Sequence, residues 1–277
     1  MVKYSKKKQK GGNKNICSPA MVVNQYNYSC FTLNDLKDMA KMVNKKYKSN
    51  IPINSYKAKD KAKLVRDIHS SLQCGKMSLD TCVTEKYQRE FNKTIKKTLK
   101  PKKPKGKYEW LSSVDIFDVM KQYMDKHPEF IFLGPVPIDF DEFSNALSRI
   151  NLKRLKKEKT KIGITFNTDP SYKSGEHWIT MFIDLKDKTI CFFDSVGDEP
   201  PKEVKRFMNR MIKQAKSIGI KLKPIINETQ HQSGGTECGV YSLYFIASRL
   251  QGKSCNYLNN KVIKDEEMNK YRNKFFR

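Results

Sequence analysis

The sequence predicts an α+β or α/β fold in which a small mixed sheet and its helices surround one buried helix, preceded by an N-terminal helical arm. Three observations support this prediction. Apolar segments of strand length, KIGITFNT, HWITMFIDL and TICFFDS, cluster in the C-terminal half. The segment GVYSLYFIASRL has the length of a helix and is apolar almost all round, as expected of a helix inside the core. The first hundred residues contain lysine-rich stretches with helical periodicity.

The amino-acid composition narrows the classes of function that the protein could have. The 277 residues include 55 Lys and Arg against 29 Asp and Glu, a net charge of +26 that would attract polyanions such as nucleic acid or anionic lipid. Only nine of these residues are Arg, so we expect non-specific electrostatic binding. No apolar run is long enough to span a bilayer, and no apolar stretch follows the charged N-terminus, which predicts a protein that is neither membrane-spanning nor secreted.

The seven cysteines are odd in number and irregularly spaced. This pattern favours reduced thiols over a disulfide framework. None of the cysteines forms the close CxxC pairs that structural zinc sites use, so we predict no metal and no cofactor.

The N-terminal region divides into two parts. Residues 1–15 are rich in lysine and have little to bury, so we expect a disordered basic tail. Residues 16–100 are predicted to form a helical arm, with one helix capped by Thr32 and a second within KDKAKLVRDIHSSL. Two lysine-rich helices joined by an extended loop resemble an SAP-type DNA-binding module, which would bind DNA non-specifically. The alternative is an arm that packs on the rest of the protein.

The Pro- and Lys-rich segment LKPKKPKGK separates this arm from a second domain at residues 105–277. In that domain, EWLSSVDIFDVMKQYMDKH predicts a helix entered through Ser112 or Ser113. FIFLGPVPIDF reads as a strand broken by two prolines, and DEFSNALSRI as a short helix. An amphipathic helix is expected in PPKEVKRFMNRMIKQAKSIG, followed by a fourth strand at Lys221–Ile226.

Cys238 stands at the start of the predicted buried helix, within HQSGGTECGV. A reactive cysteine, a metal ligand and an ordinary buried thiol are all consistent with that position. Backbone N–H groups at a helix N-terminus stabilise a thiolate, which favours the first reading. A thiolate nucleophile also needs a base, and the chain offers four histidines: His69, His127, His177 and His231.

His177 opens the strand HWITMFIDL, and Asp194 ends the following strand TICFFDS. A hairpin between these strands would place the carboxylate beside the imidazole. Taken singly, each residue favours a structural role, whereas the set favours a Cys-His-Asp triad. Gln232 precedes Cys238 across the SGG bend, so its side-chain amide could join the Cys238 backbone N–H as an oxyanion donor.

The chain contains, in order, the pair HW, the strand end FDS with its aspartate 17 positions after the histidine, and QxxxxxCG. The four positions in these motifs, His177, Asp194, Gln232 and Cys238, resemble those of the ubiquitin-like-protein protease (Ulp/SENP) family and its viral relative adenain. EWLSSVDIFDVMKQY is similar to the early helix of that family. Within that family, the chain resembles the proteases of large cytoplasmic DNA viruses, of the African swine fever virus type. The segments that carry this resemblance are FLGPVPIDF, NTD…GEHW, QHQSGGTECGVYSLYF and IKDEEMNKYRNKFFR.

The resemblance implies a papain-like, Ulp-type core and a role for each matching residue. His177 would be the base, Asp194 its orienting group, Cys238 the nucleophile and Gln232 the oxyanion donor. The swine fever type has Asn at the orienting position, so the departure at Asp194 concerns the role of the third triad member. The substrate-binding candidates are Trp178 beside the site, Asn167 in FNTD, and Gly235 in the bend that approaches the substrate.

The resemblance further implies a cysteine endopeptidase that cleaves polypeptides after Gly-Gly. Its expected substrate is a viral core polyprotein during virion maturation, in the virion and the host cytoplasm. One alternative is a protease for a ubiquitin-like (SUMO) modifier. Another, from a different class, is a basic DNA-binding virion protein on a protease scaffold. Gly11-Gly12 is a candidate self-cleavage site. The sequence does not indicate which oligomeric state the protein adopts.

Overall fold

The computed structural model describes residues 16–20 and 29–277. The predicted basic tail at 1–15, with its Gly11-Gly12 pair, lies outside the described residues. The chain divides into two compact units, Met1–Pro101 with Arg277, and Lys102–Phe276. Within the described ranges, no helix is both long and apolar enough to cross a membrane.

The first unit contains four α-helices in its described residues. Thr32 caps the first through a capping box, because its side chain accepts from the Asp35 backbone N–H and Asp35 accepts from the Thr32 backbone N–H. This agrees with the predicted helix start, and the second predicted helix is also present. The two later helices were not predicted from the sequence. The four are α1 (Leu33–Tyr47), α2 (Lys61–Ser71), α3 (Leu79–Glu85) and α4 (Asn92–Thr98).

The prediction of reduced thiols is wrong for six of the seven cysteines. The folded chain brings their Cα atoms to 5.2, 5.5 and 6.1 Å in pairs, within the range of disulfide geometry. Sequence spacing does not reveal which cysteines the fold brings together. The disulfides join Cys17 to Cys30, Cys74 to Cys82, and Cys191 to Cys255.

The second unit is built on a six-stranded mixed sheet. Its strands are β1 (Phe130–Phe132), β2 (Val136–Pro137), β3 (Lys161–Asn167), β4 (Trp178–Asp184), β5 (Thr189–Phe193) and β6 (Lys223–Ile226). The order is β1-β3-β4-β5-β6, and β2 also pairs with β3. The pairs β3–β4 and β4–β5 are antiparallel, and the others are parallel. The predicted hairpin between HWITMFIDL and TICFFDS is thus present.

Helices of the second unit pack around this sheet. They are α5 (Ser113–Lys126), α6 (Leu152–Leu155), α7 (Lys202–Ser217), α8 (Cys238–Leu250), α9 (Asn256–Asn259) and α10 (Asp265–Phe275). Every residue of α8 is buried, and α8 packs against β4. The sequence prediction of one helix inside the core, carrying the cysteine at its first position, is therefore confirmed.

The predicted helix in DEFSNALSRI is wrong. The segment begins within a short 3-10 helix at Phe140–Glu142 and then forms a turn, because the Asn145 side-chain oxygen accepts from the backbone N–H groups of Leu147 and Ser148 at 2.8 and 2.9 Å. Such local bonds satisfy the backbone without a helix. Helix α6 begins later, where the Asn151 side chain accepts from the Arg154 backbone N–H.

Candidate active site

Cys238 is the first residue of α8, and it is the one cysteine outside a disulfide among the described residues. Its neighbour Gly239 leaves space for a second segment. A Cβ atom at position 239 would lie 3.0 Å from Leu111 Cβ, which packs directly on the helix start. Glycine after the cysteine thus lets the segment around Leu111 close over the N-terminus of α8, where backbone N–H groups favour negative charge.

The antiparallel pairing of β4 and β5 brings His177 and Asp194 together. His177 lies one residue before β4 and Asp194 one residue after β5, at the same edge of the sheet. Asp194 Oδ1 lies 2.7 Å from His177 Nε2 and also accepts from the Val196 backbone N–H at 2.9 Å. Because Asp194 is almost fully buried, its carboxylate has a fixed orientation toward the imidazole.

The charge of His177 is set by two partners, Asp194 and Cys238. Burial lowers the pKa of His177, but its hydrogen bonds to Asp194 and Cys238 and the charges of these partners outweigh burial and raise the pKa to about 10. The imidazolium form is therefore stabilised at neutral pH. Since Nε2 faces Asp194, the other ring nitrogen, Nδ1, is left for the thiol. The structure thus brings Cys238, His177 and Asp194 together, with a hydrogen bond between His177 and Asp194 and an electrostatic interaction between His177 and Cys238.

Gln232 is buried and is bonded to Ser195, the residue that follows Asp194. Its Nε2 donates to the Gly234 carbonyl at 2.7 Å, and its Oε1 accepts from the Ser195 hydroxyl at 2.7 Å. The backbone N–H of Gln232 donates to the Ser195 carbonyl at 2.8 Å. The side chain is therefore held at both ends of its amide group.

Trp178 and Asn167 line a cavity of about 520 Å³. The Trp178 indole N–H donates to the Leu111 carbonyl at 2.8 Å. Asn167 Oδ1 accepts from the backbone N–H groups of Asp169 and Glu176, so it shapes the loop that leads to His177. This cavity also has Trp110, Pro135 and Gly175 in its wall.

The glycines of the SGG bend differ in their surroundings. A Cβ atom at Gly234 would lie 2.8 Å from Glu237 Oε2, whereas a Cβ atom at Gly235 would meet nothing within 4 Å. Gly235 lies outside the lining of the cavity described above. The close approach of Glu237 therefore explains why position 234 is a glycine, whereas the space beside Gly235 is open.

Several residues near the site were not singled out from the sequence. The carboxylate of Asp265, at the start of α10, accepts from the backbone N–H groups of Ser233 and Gly234 at 2.9 and 2.7 Å. No local pattern could reveal this contact, because 31 residues separate Gly234 from Asp265. Trp110, which also lines the cavity, lies in EWLSSVDIFDVMKQY, where its tryptophan side chain was the signal that could have identified it.

His231, next to Gln232 in sequence, has partners other than Cys238. Its Nδ1 accepts from the Ile263 backbone N–H at 3.2 Å, and its ring packs near Phe193 and Tyr241. Burial lowers the pKa of His231. The base is therefore sought at His177, as the sequence indicated.

Comparisons with known proteins give a family for this chain. The C-terminal catalytic domain of the Ulp1 protease family matches residues 134–277. A mimivirus protein named as a thiol protease, from Acanthamoeba polyphaga mimivirus, is 30% identical, with 95% of this chain and 93% of the relative covered. A SUMO-1 cysteine protease of African swine fever virus is 27% identical over 68% of this chain and 75% of the relative.

The crystal structure of an African swine fever virus protease has the same fold. It superimposes with a TM-score of 0.67 over 95% of both chains, at 22% sequence identity. The resemblance seen in the sequence motifs is thus confirmed by matches along most of the chain. This chain belongs to the Ulp1 family of cysteine proteases.

Proposed function

We propose that this chain is a cysteine endopeptidase that cleaves polypeptides after Gly-Gly, with Cys238, His177, Asp194 and Gln232 as its catalytic residues. One observation carries the proposal. A single imidazole, His177, is hydrogen-bonded to the buried Asp194 carboxylate and interacts electrostatically with Cys238, whose thiol is outside any disulfide. A nucleophile, a base and a group that orients the base are the three parts of a covalent acyl-transfer site.

The reaction follows from these positions. His177 holds the proton of the Cys238 thiol as an imidazolium, and the thiolate attacks the carbonyl carbon of the scissile peptide. The Gln232 amide and the Cys238 backbone N–H donate to the oxyanion that forms. When the C–N bond breaks, His177 returns its proton to the leaving amine, which leaves a thioester on Cys238. His177 then removes a proton from water and keeps it, while the resulting hydroxide attacks the thioester and releases the carboxylate product and the Cys238 thiolate.

The Gly-Gly preference is supported by family membership and by the cavity beside His177. Trp110 and Trp178 both contribute to the cavity lining, so large residues border the space next to His177. A substrate segment without side chains would fit between such walls at the least steric cost. Asn167 would hold one wall, and the open side of Gly235 would face the approaching chain.

We propose a viral polyprotein as the substrate, in the virion and the host cytoplasm. Support comes from the relatives, since both named above are proteins of large DNA viruses. The name of the swine fever relative also includes SUMO-1, which keeps a ubiquitin-like modifier as the alternative substrate.

A peptide assay tests the reaction. Wild type, Cys238→Ala and His127→Ala are incubated under mild reducing conditions with a fluorogenic Gly-Gly-X peptide, its Ala-Ala-X analogue and a SUMO conjugate. We expect wild type and His127→Ala to cleave Gly-Gly-X, because His127 lies at the end of α5 and bonds to Glu129. Cys238→Ala should be inactive. Cleavage of the conjugate alone would favour the modifier, and cleavage of neither by wild type would contradict both substrates.

A DNA-binding role for the arm is a second candidate. Residues 16–100 carry 17 Lys and Arg against 7 Asp and Glu, so this unit adds to the positive charge of the chain. We propose non-specific binding, whose affinity should fall steeply with salt. Fluorescence anisotropy with duplex DNA, from 50 to about 200 mM salt, tests it. The variant Lys41→Gln/Lys45→Gln should reduce the salt slope; an equal slope would place binding outside α1.

A further inference from the structure

Ser195 makes contacts that the catalytic steps above do not use. It follows Asp194 directly, and it is buried. Its hydroxyl donates to Gln232 Oε1 at 2.7 Å, across 37 residues of sequence. Its carbonyl accepts from the backbone N–H groups of His231 and Gln232, each at 2.8 Å. Ser195 thus holds both the main chain and the side chain of Gln232.

These contacts decide which end of the Gln232 amide faces which partner. The Gly234 carbonyl can only accept a hydrogen bond, so the amide end that points to it must be the NH₂ group. The oxygen end then needs a donor, and Ser195 supplies one. If the amide flipped, its oxygen would face the Gly234 carbonyl oxygen, and two acceptors would meet in a buried place.

The NH₂ group of glutamine has two protons. One is used in the bond to Gly234, which leaves the second for a substrate oxygen. Without the Ser195 hydroxyl, the buried Oε1 would lose its donor and the amide could turn. The donor that the oxyanion needs would then be correctly placed for only part of the time.

We propose that Ser195 is a positioning residue that fixes the Gln232 amide with its N–H group available to the oxyanion. The inference rests on the proposed role of Gln232. Under this proposal, two adjacent residues have different roles: Asp194 orients the base and Ser195 orients the oxyanion donor. Both halves of the site thereby depend on the turn that follows β5.

The variant Ser195→Ala tests the proposal. We expect kcat on the peptide to fall about tenfold, as for the loss of one buried hydrogen bond, with KM changed less than about twofold because only the transition state carries the oxyanion. The rate of Cys238 alkylation by iodoacetamide should not change, because alkylation forms no oxyanion. A general structural defect would lower both rates.

The same substitution in a Gln232→Ala background separates this proposal from the oxyanion role itself. Gln232→Ala should lower kcat by about 10²–10³, and Ser195→Ala should then lower it no further. An equal loss in both backgrounds would overturn the positioning role. An unchanged kcat in Gln232→Ala would contradict the proposed function of Gln232, and with it the inference.

A matched pair covers the case in which Ser195→Ala does not fold. Ser195→Thr keeps a hydroxyl. Valine has nearly the same shape as threonine but no hydroxyl, so Ser195→Val and Ser195→Thr share any packing cost. We expect kcat of the Thr variant to exceed that of the Val variant about tenfold at equal alkylation rates. Equal kcat values in the pair would overturn the proposal.

Discussion

Replacement of Asp194 by asparagine removes the charge beside His177 and keeps the size of the side chain. The rise of the His177 pKa from 6.5 to about 10 corresponds to about 5 kcal/mol, to which Asp194 and Cys238 both contribute against the cost of burial. An opposite charge within hydrogen-bonding distance accounts for about 1 to 3 pH units of such a rise. We therefore expect the pKa of His177 to fall by that amount in Asp194→Asn.

The activity of the variant should change accordingly. The imidazolium of His177 supplies the proton of the leaving amine, so kcat/KM on the peptide should decline as pH rises through the His177 pKa. In wild type this alkaline limb is expected near pH 10, and in Asp194→Asn it should move toward neutral pH. The NMR titration of the His177 ring gives the same midpoint without a substrate.

The free energy of unfolding should also depend on pH in the direction that this pKa rise predicts. A pKa that is higher in the folded than in the unfolded protein stabilises the fold fully below about pH 6.5, and this contribution is lost as pH rises through about 10. The difference in free energy of unfolding between wild type and Asp194→Asn should therefore shrink toward alkaline pH. Asp141→Asn, at an exposed ion pair with Arg210, is the matched control. An unshifted limb and midpoint in Asp194→Asn would refute the assigned electrostatics.

Three further predictions concern the surroundings of the site. Gly239→Ala should lower the free energy of unfolding by about 1 to 3 kcal/mol in urea, because its Cβ would press on Leu111, whereas Gly235→Ala should change it by less than about 0.5; equal effects would contradict the contact. Trp178→Phe should cost about 1 to 3 kcal/mol, since the Leu111 carbonyl loses its donor; a neutral result would mean that water replaces it. In denaturant without reductant, mass spectrometry should find one alkylated cysteine, Cys238, and seven after reduction; seven at the outset would contradict the disulfides.

Local patterns in the sequence were sufficient for the central parts of the second unit. Alternation and apolar runs identified the strands β3, β4 and β5, because each strand reports its own burial through its side chains. The buried helix was evident from its uniform apolarity. Prediction failed in DEFSNALSRI, where one side chain, Asn145, satisfies the backbone of a turn. Helices α3 and α4 of the arm were also missed.

For the candidate site, the sequence by itself nominated Cys238, His177, Asp194 and Gln232, because their motifs lie at ordered spacings beside recognisable strands and a helix. Only the tertiary structure decided the contacts between segments distant in sequence. These include the disulfide pairs, the Ser195 bond to Gln232 and the Asp265 bonds to the SGG bend. The physical reason is that secondary structure follows from neighbours along the chain, whereas hydrogen bonds of buried side chains depend on where the packed sheet and helices bring their partners.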